Sequence, residues 1–168
     1  MRNTKINFIA ITAIGIALYV ALSMAMKIPI IGHIGLDLGY IALAVYCYCY
    51  GPLSGAIVGA GGCTLVSLIT SGWFPPGWVL GNILIGFVCG KFYNKENKKL
   101  RIPINMAVSI IAIFAGIIVI KTAVECMMFD IPVVVKLPKN AIAALVDAIT
   151  MCVGLFVAYQ IEPEINKK

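Results

Sequence analysis

Apolar runs about as long as a bilayer is thick recur along this chain, and they restrict its fold more than any motif does. The first, Phe8 to Met26, reads as a single apolar helix. A helix needs roughly 20 residues to cross the hydrocarbon core of a membrane. The chain of 168 residues is 61% hydrophobic and only 12% charged, whereas a soluble domain is about 25% charged. So few charges cannot cover a water-facing surface of this size, and an integral membrane protein is expected. The alternating pattern of a membrane barrel is absent, which leaves helices. Arg2 and Lys5 ahead of the first run resemble the start of a signal peptide. The run outlasts a signal's apolar core of roughly 7–15 residues, however, and more spans follow, so it is read as a retained helix.

The expectation is one all-α membrane domain over 1–168, with six transmembrane helices at about 6–26, 38–50, 53–69, 78–92, 103–124 and 140–160. Gly51-Pro52 breaks the second from the third. Three irregular, proline-containing stretches, 27–37, 70–77 and 125–139, are read as loops. Basic residues set the orientation. With both termini inside, Arg2, Lys5, Lys91, Lys95, Lys98, Lys99, Arg101, Lys167 and Lys168 are cytoplasmic, and only Lys27, Lys136 and Lys139 lie outside. All three long loops then fall on the outer face, where a solute would be captured.

Down one side of the first helix run Ala13, Ala17, Ala21 and Ala25. Residues four apart share a face of a helix, so the four form a strip with no side chain beyond a methyl. Small residues let another helix come close in a membrane. The partner is either one of the chain's own helices or a different subunit.

Polar side chains within spans are costly and tend to be functional. Trp78 and Asn82 lie one turn apart at the outer end of the fourth helix. Lys121 and Glu125, four apart, share a face near the outer end of the fifth. Asp147 lies seven residues after Asn140, roughly 10 Å along the sixth helix. These depths converge on one outer cavity, to which the first loop adds His33, Asp37 and Tyr40 and the second adds Trp73 and Phe74. Charged and amide groups among aromatic walls suit a small, flat, polar molecule. Simpler readings stand beside this one: a Lys121–Glu125 salt bridge, tryptophans as interfacial anchors, and an Asp147 that is protonated or paired with Lys121.

Other classes find little support. The net charge of +6 marks the cytoplasmic side of a membrane protein and does not indicate nucleic acid. No CxxC links the six cysteines, which read as small buried hydrophobes. There is no phosphate-binding GxxxxGK[ST] and no HExxH, and one histidine cannot build a His-based metal cluster. No metal, cofactor or catalytic group is expected, and the chain cannot hydrolyse ATP by itself.

Three local features, in order on this topology, resemble the substrate-binding (S) components of energy-coupling factor (ECF) transporters, the vitamin importers of bacteria. The alanine strip looks like the AxxxA pattern of that family's first helix. Tyr50-Gly-Pro-Leu-Ser-Gly-Ala-Ile-Val-Gly59 is similar to its entry into the third helix. Pro76-Gly-Trp-Val-Leu-Gly-Asn-Ile-Leu-Ile-Gly86, continued to Gly90, looks like its opening of the fourth. The resemblance implies the S-component fold in a bacterial cell membrane, with ligand bound in the outer half. It also implies docking of the alanine strip on a transmembrane T component, two ABC-type ATPases that use the ATP, and toppling of the S component to release ligand inside.

Trp73, Phe74, Trp78 and Asn82 with the acids Asp37, Glu125 and Asp147 point to a flat, nitrogen-rich heterocycle bearing hydrogen-bond donors. A deazaguanine precursor of queuosine fits best, because a carboxylate can accept from its N–H edge; riboflavin, folate and B6 vitamers remain open. The competing classes are a stand-alone carrier or channel and a membrane enzyme acting on lipid head groups.

Overall fold

The computed structural model describes residues 2–25, 29–31, 34–35, 37–95 and 100–165. Among these, six helical rods follow one another: α1 (Arg2–Ala25), α2 (Gly39–Tyr50), α3 (Pro52–Ser71), α4 (Pro76–Phe92), α5 (Arg101–Phe129) and α6 (Val133–Ile165). Between α1 and α2 a short antiparallel hairpin pairs β1 (Pro29–Ile31) with β2 (Ile34–Gly35), so the expected all-α fold carries one small piece of sheet.

Four segments are long and apolar enough to cross a membrane: Ile6–Ala25, Pro52–Ser71, Arg101–Phe129 and Val133–Pro163. Gly39–Tyr50 and Pro76–Phe92 are apolar but shorter. At 1.5 Å per residue α2 is about 18 Å long, against roughly 30 Å of hydrocarbon. Its place is the middle of the bundle: Gly39, Tyr40 and every residue from Ala42 to Tyr48 are buried, as expected for a helix that is apolar all round. It packs against α1, α3, α4 and α6.

Glycines bring the surrounding rods into backbone contact. A Cβ added at Gly55 of α3 or Gly86 of α4 would run into the main chain of the other. Gly81 of α4 and Gly116 of α5 make the same kind of contact, each placing an added Cβ 2.7 Å from the other's carbonyl oxygen. This second approach draws α5 onto the half of α4 that carries Trp78 and Asn82. It falls within a π-helical segment of α5, Phe114–Lys121, where the bonding pattern widens to i→i+5.

Helix boundaries differ most around 125–139, which is not an irregular loop. α5 runs on to Phe129 and α6 starts at Val133, leaving only 130–132 as a turn. Asp130 closes α5 in the left-handed region, at φ 50°, and Pro132 precedes the first turn of α6. Pro138, read from the sequence as a loop residue, lies inside α6. It is the sixth residue of the helix, past the first turn, so its missing N–H leaves the Val134 carbonyl without its ladder donor.

The alanine strip is settled by the opposite face of α1. Thr12, Gly15, Tyr19 and Ser23 are buried against the bundle, while Ala13, Ala17, Ala21 and Ala25 are all exposed. Packing of the strip on the chain's own described helices is therefore excluded.

Candidate binding site

One end of the bundle gathers the places where α2, α4 and α6 begin and α5 stops. Lys121 comes to this end at 7% exposure, on the last residue of the π segment. Its ammonium Nζ donates to Asn140 Oδ1 of α6 at 2.7 Å and sits 3.8 Å from the centroid of the Trp78 ring. Such a desolvated cation–π contact is worth about 2 kcal/mol. Glu125 Oε1 is farther, at 3.8 Å, and the stronger ion pair of Glu125 is with Lys136 at 3.2 Å. The expected Lys121–Glu125 pair thus exists, but Lys121 is held chiefly by Asn140 and Trp78. Asn140 Nδ2 donates to Thr122 Oγ1 at 2.8 Å and reaches Glu125 Oε2 at 3.5 Å.

Deeper in the bundle the polar groups are unmatched. Tyr40 is 0%, Asn82 1% and Asp147 2% exposed. The Tyr40 hydroxyl, both Asn82 amide atoms and Asp147 Oδ2 have no hydrogen-bond partner among the described residues. The three are neighbours: Tyr40 faces both Asp147 and Asn82, and Asn82 also faces the Cys63 thiol, polar approaches that fall short of hydrogen-bond geometry, while Asp147 lies within reach of Lys121. No ion pair neutralises Asp147 among the described residues. Leaving a buried polar group unpaired costs about 1–3 kcal/mol, and more for a charge, so four such atoms at one spot are not explained by folding. They form a lining with acceptors from Asp147, both functions from Asn82 and a hydroxyl from Tyr40.

The other expected site residues separate into groups. Tyr40 belongs to α2, not to the loop before it. Asp37 is tied into the scaffold: Oδ1 accepts from Ser23 Oγ at 2.5 Å and from the Gly39 backbone N–H at 2.9 Å, and Oδ2 accepts from the Tyr19 hydroxyl at 3.3 Å. It therefore fastens the start of α2 to α1. Trp73 and Phe74 are exposed. Trp73 packs on Phe129 with ring centroids 5.4 Å apart, and with Pro75, Pro76, Gly77, Glu125 and Phe129 it lines a shallow, open pocket with room for about one water. His33 lies outside the described residues. No cluster able to hold a metal ion occurs among the described residues.

Two features escaped sequence reading. Thr122 bridges Asn140 and the π segment, as its hydroxyl donates to the Ile117 carbonyl at 3.2 Å. At the far end of the bundle Asn105 is fully buried: Oδ1 accepts from the Asn94 N–H at 2.6 Å, and Nδ2 donates to the Asn94 carbonyl at 3.0 Å and to the Tyr159 hydroxyl at 3.2 Å. Beside it Tyr93 and Ser109 share a hydrogen bond of 2.6 Å, and Arg101 pairs with Glu162 at 2.8 Å while lying 4.6 Å from the Tyr159 ring centroid. Both Thr122 and Asn105 are polar residues within apolar runs, the same signal that picked out Asn82 and Asp147.

The sequence model of the S component of ECF-type riboflavin transporters matches residues 3–161. Curated relatives are UPF0397 proteins. That of Lactococcus lactis subsp. cremoris is 28% identical over 163 residues, 92% of this chain and 88% of the relative. That of Streptococcus agalactiae is 30% identical over 172 residues, covering 95% and 93%. A Streptococcus thermophilus relative is 34% identical over 95 residues, 56% of this chain, and the match spans about half, 52%, of that relative's length. With a match over nearly its whole length, the chain belongs to the family of ECF-type riboflavin transporter S components, multi-pass proteins of the bacterial cell membrane.

Proposed function

We propose that this protein captures a small, flat nitrogen heterocycle at the outer face of the membrane, as the S component of an ECF-type importer. In this reading the six rods all traverse or enter the bilayer, both termini are cytoplasmic, and the end carrying Trp78, Lys121 and Asp147 faces outward. The single observation that carries it is the set of unpaired buried polar atoms on Tyr40, Asn82 and Asp147. A ligand that pairs them recovers the desolvation cost that the protein alone leaves unmet, and a site built to hydrogen-bond its ligand rejects analogues lacking those groups.

The ligand's donor edge would meet Asp147 and Asn82, and its ring would lie near Trp78. A deazaguanine precursor of queuosine has such an edge. Riboflavin is the second reading, favoured by the family description, and folate and B6 vitamers share the flat heterocycle. Energy would come from a transmembrane T component with two ABC-type ATPases, docked on the exposed strip Ala13, Ala17, Ala21 and Ala25; no cofactor is needed in this chain. A stand-alone carrier or channel is the competing class.

Titration of the purified protein with deazaguanine, riboflavin, folate and pyridoxal tests the ligand. Saturable binding of one of them is expected, and binding of none overturns the reading; failure of the deazaguanine alone removes that candidate. Replacing Ala17 and Ala21 by Trp tests the coupling. Uptake should be abolished while binding is kept. Uptake that survives both changes favours the stand-alone carrier.

A further inference from the structure

Lys121 is placed by a chain of hydrogen bonds with a fixed direction. The π segment brings the Ile117 carbonyl opposite residue 122, five positions on, where both the N–H and the hydroxyl of Thr122 reach it. The hydroxyl has one proton, and it is committed to that carbonyl. What Thr122 Oγ1 presents to Asn140 is therefore only lone pairs. The Asn140 carboxamide has two ends of nearly equal size, one that donates and one that accepts. Facing Thr122 with Nδ2 at 2.8 Å leaves Oδ1 facing Lys121 Nζ at 2.7 Å. The opposite orientation would set an NH2 against an ammonium, two donors with nothing between them to accept. Lys121 would then keep only the Glu125 carboxylate, whose Oε1 is 3.8 Å away, to hold it beside Trp78.

We infer that Thr122 is a positioning residue: its hydroxyl, polarised by the π segment, fixes the Asn140 amide and thereby seats the Lys121 ammonium on the Trp78 ring. The site's cation is thus set in place before a ligand arrives. The functional consequence rests on the reading of this end as the ligand site; the hydrogen-bond chain belongs to the protein alone and is tested without ligand.

Trp78 reports on the arrangement, because Trp73 is the only other tryptophan. In full-length protein carrying Trp73→Phe, Lys121→Met defines the Trp78 emission without its cation. Thr122→Val, which keeps the shape and removes the hydroxyl, should move the emission to that of Lys121→Met, and Thr122→Ser should restore it. Asn140→Asp supplies the control. A carboxylate offers Lys121 an acceptor whichever way it faces, so Thr122→Val on this background should leave the emission unchanged. The inference is overturned by a Thr122→Val spectrum that stays as in the parent, by an identical shift in the presence of Asn140→Asp, or by a Lys121→Met spectrum indistinguishable from the parent. Where Thr122→Val alone does not fold, the pair of proteins with Asn140→Asp decides between the two outcomes. Because no ligand enters these measurements, failure of the transport reading would leave their outcome intact.

Discussion

The two ends of the bundle hold similar residues in opposite states. At the end where α4 stops and α5 begins, Asn105 engages its amide with the Asn94 backbone and the Tyr159 hydroxyl, and Tyr93 and Ser109 satisfy each other. Two hydroxyls there, those of Tyr48 and Ser54, are left over among the described residues. At the other end Asn82, equally buried, has no partner for either amide atom among the described residues, and Asp147 and Tyr40 are unmatched beside it. A buried amide whose groups are all engaged is a fastener. One with none engaged is a cost to the fold that needs a second molecule to offset it. The contrast teaches that burial of polarity alone does not mark a site; its satisfaction has to be asked as well.

The comparison breaks most readily at the fastened end. Asn105→Leu should lower unfolding stability by about 3 kcal/mol, as it removes three hydrogen bonds, two to the Asn94 backbone and one to the Tyr159 hydroxyl, with ligand affinity unchanged. Denaturation in detergent, read beside a binding titration, checks both halves. At the open end Asp147→Asn should do the reverse. Its shape is kept, but one acceptor becomes a donor facing the ligand's donors, so affinity should fall about a hundredfold, near 2.7 kcal/mol, with no loss of ligand-free stability. Gly81→Val lies between the two kinds. Its side chain would push on the Gly116 carbonyl and part α4 from α5, costing about 1–3 kcal/mol of stability and, by moving Trp78 off Lys121, roughly a tenfold loss of affinity. The smallest effect belongs to Arg101→Met. Its ion pair with Glu162 is partly exposed, at 21% and 22%, and such pairs contribute about 0–1 kcal/mol.

Much of the open end was legible in the sequence, because a polar residue within an apolar run advertises itself. Asn82, Lys121, Asn140 and Asp147 stood out in this way, and helical spacing put Lys121 beside Glu125. What was missed had other causes. The π segment lies in Phe114–Lys121, where every residue before Lys121 is apolar, so a single polar mark at its end gives nothing to count the register against. Thr122 draws little notice as a residue common in spans, and its role depends on that hidden register. Asp37 looked like a ligand group because its partners, Ser23 and Tyr19, lie 14 and 18 residues away on another helix. Pro132 and Pro138 read as breakers, but Pro132 precedes the first turn, where a missing N–H costs no ladder bond, and the helix runs on through Pro138 at the loss of one, so the loop seen at 125–139 shrank to a three-residue turn. The rods followed from apolar length and the alanine strip from four-residue spacing, whereas the exposure of that strip was visible only in the packing of the opposite face of α1.

The central claim is that the open end pays in stability for polarity it does not use alone. The most direct measurement is the ligand-free unfolding stability of Asn82→Leu, set against that of Asn105→Leu. An apolar side chain of similar size removes two unmatched groups, so the Asn82 variant should be as stable as the parent or more so, while the Asn105 variant loses about 3 kcal/mol. Equal losses in the two variants would contradict the account and make Asn82 another fastener.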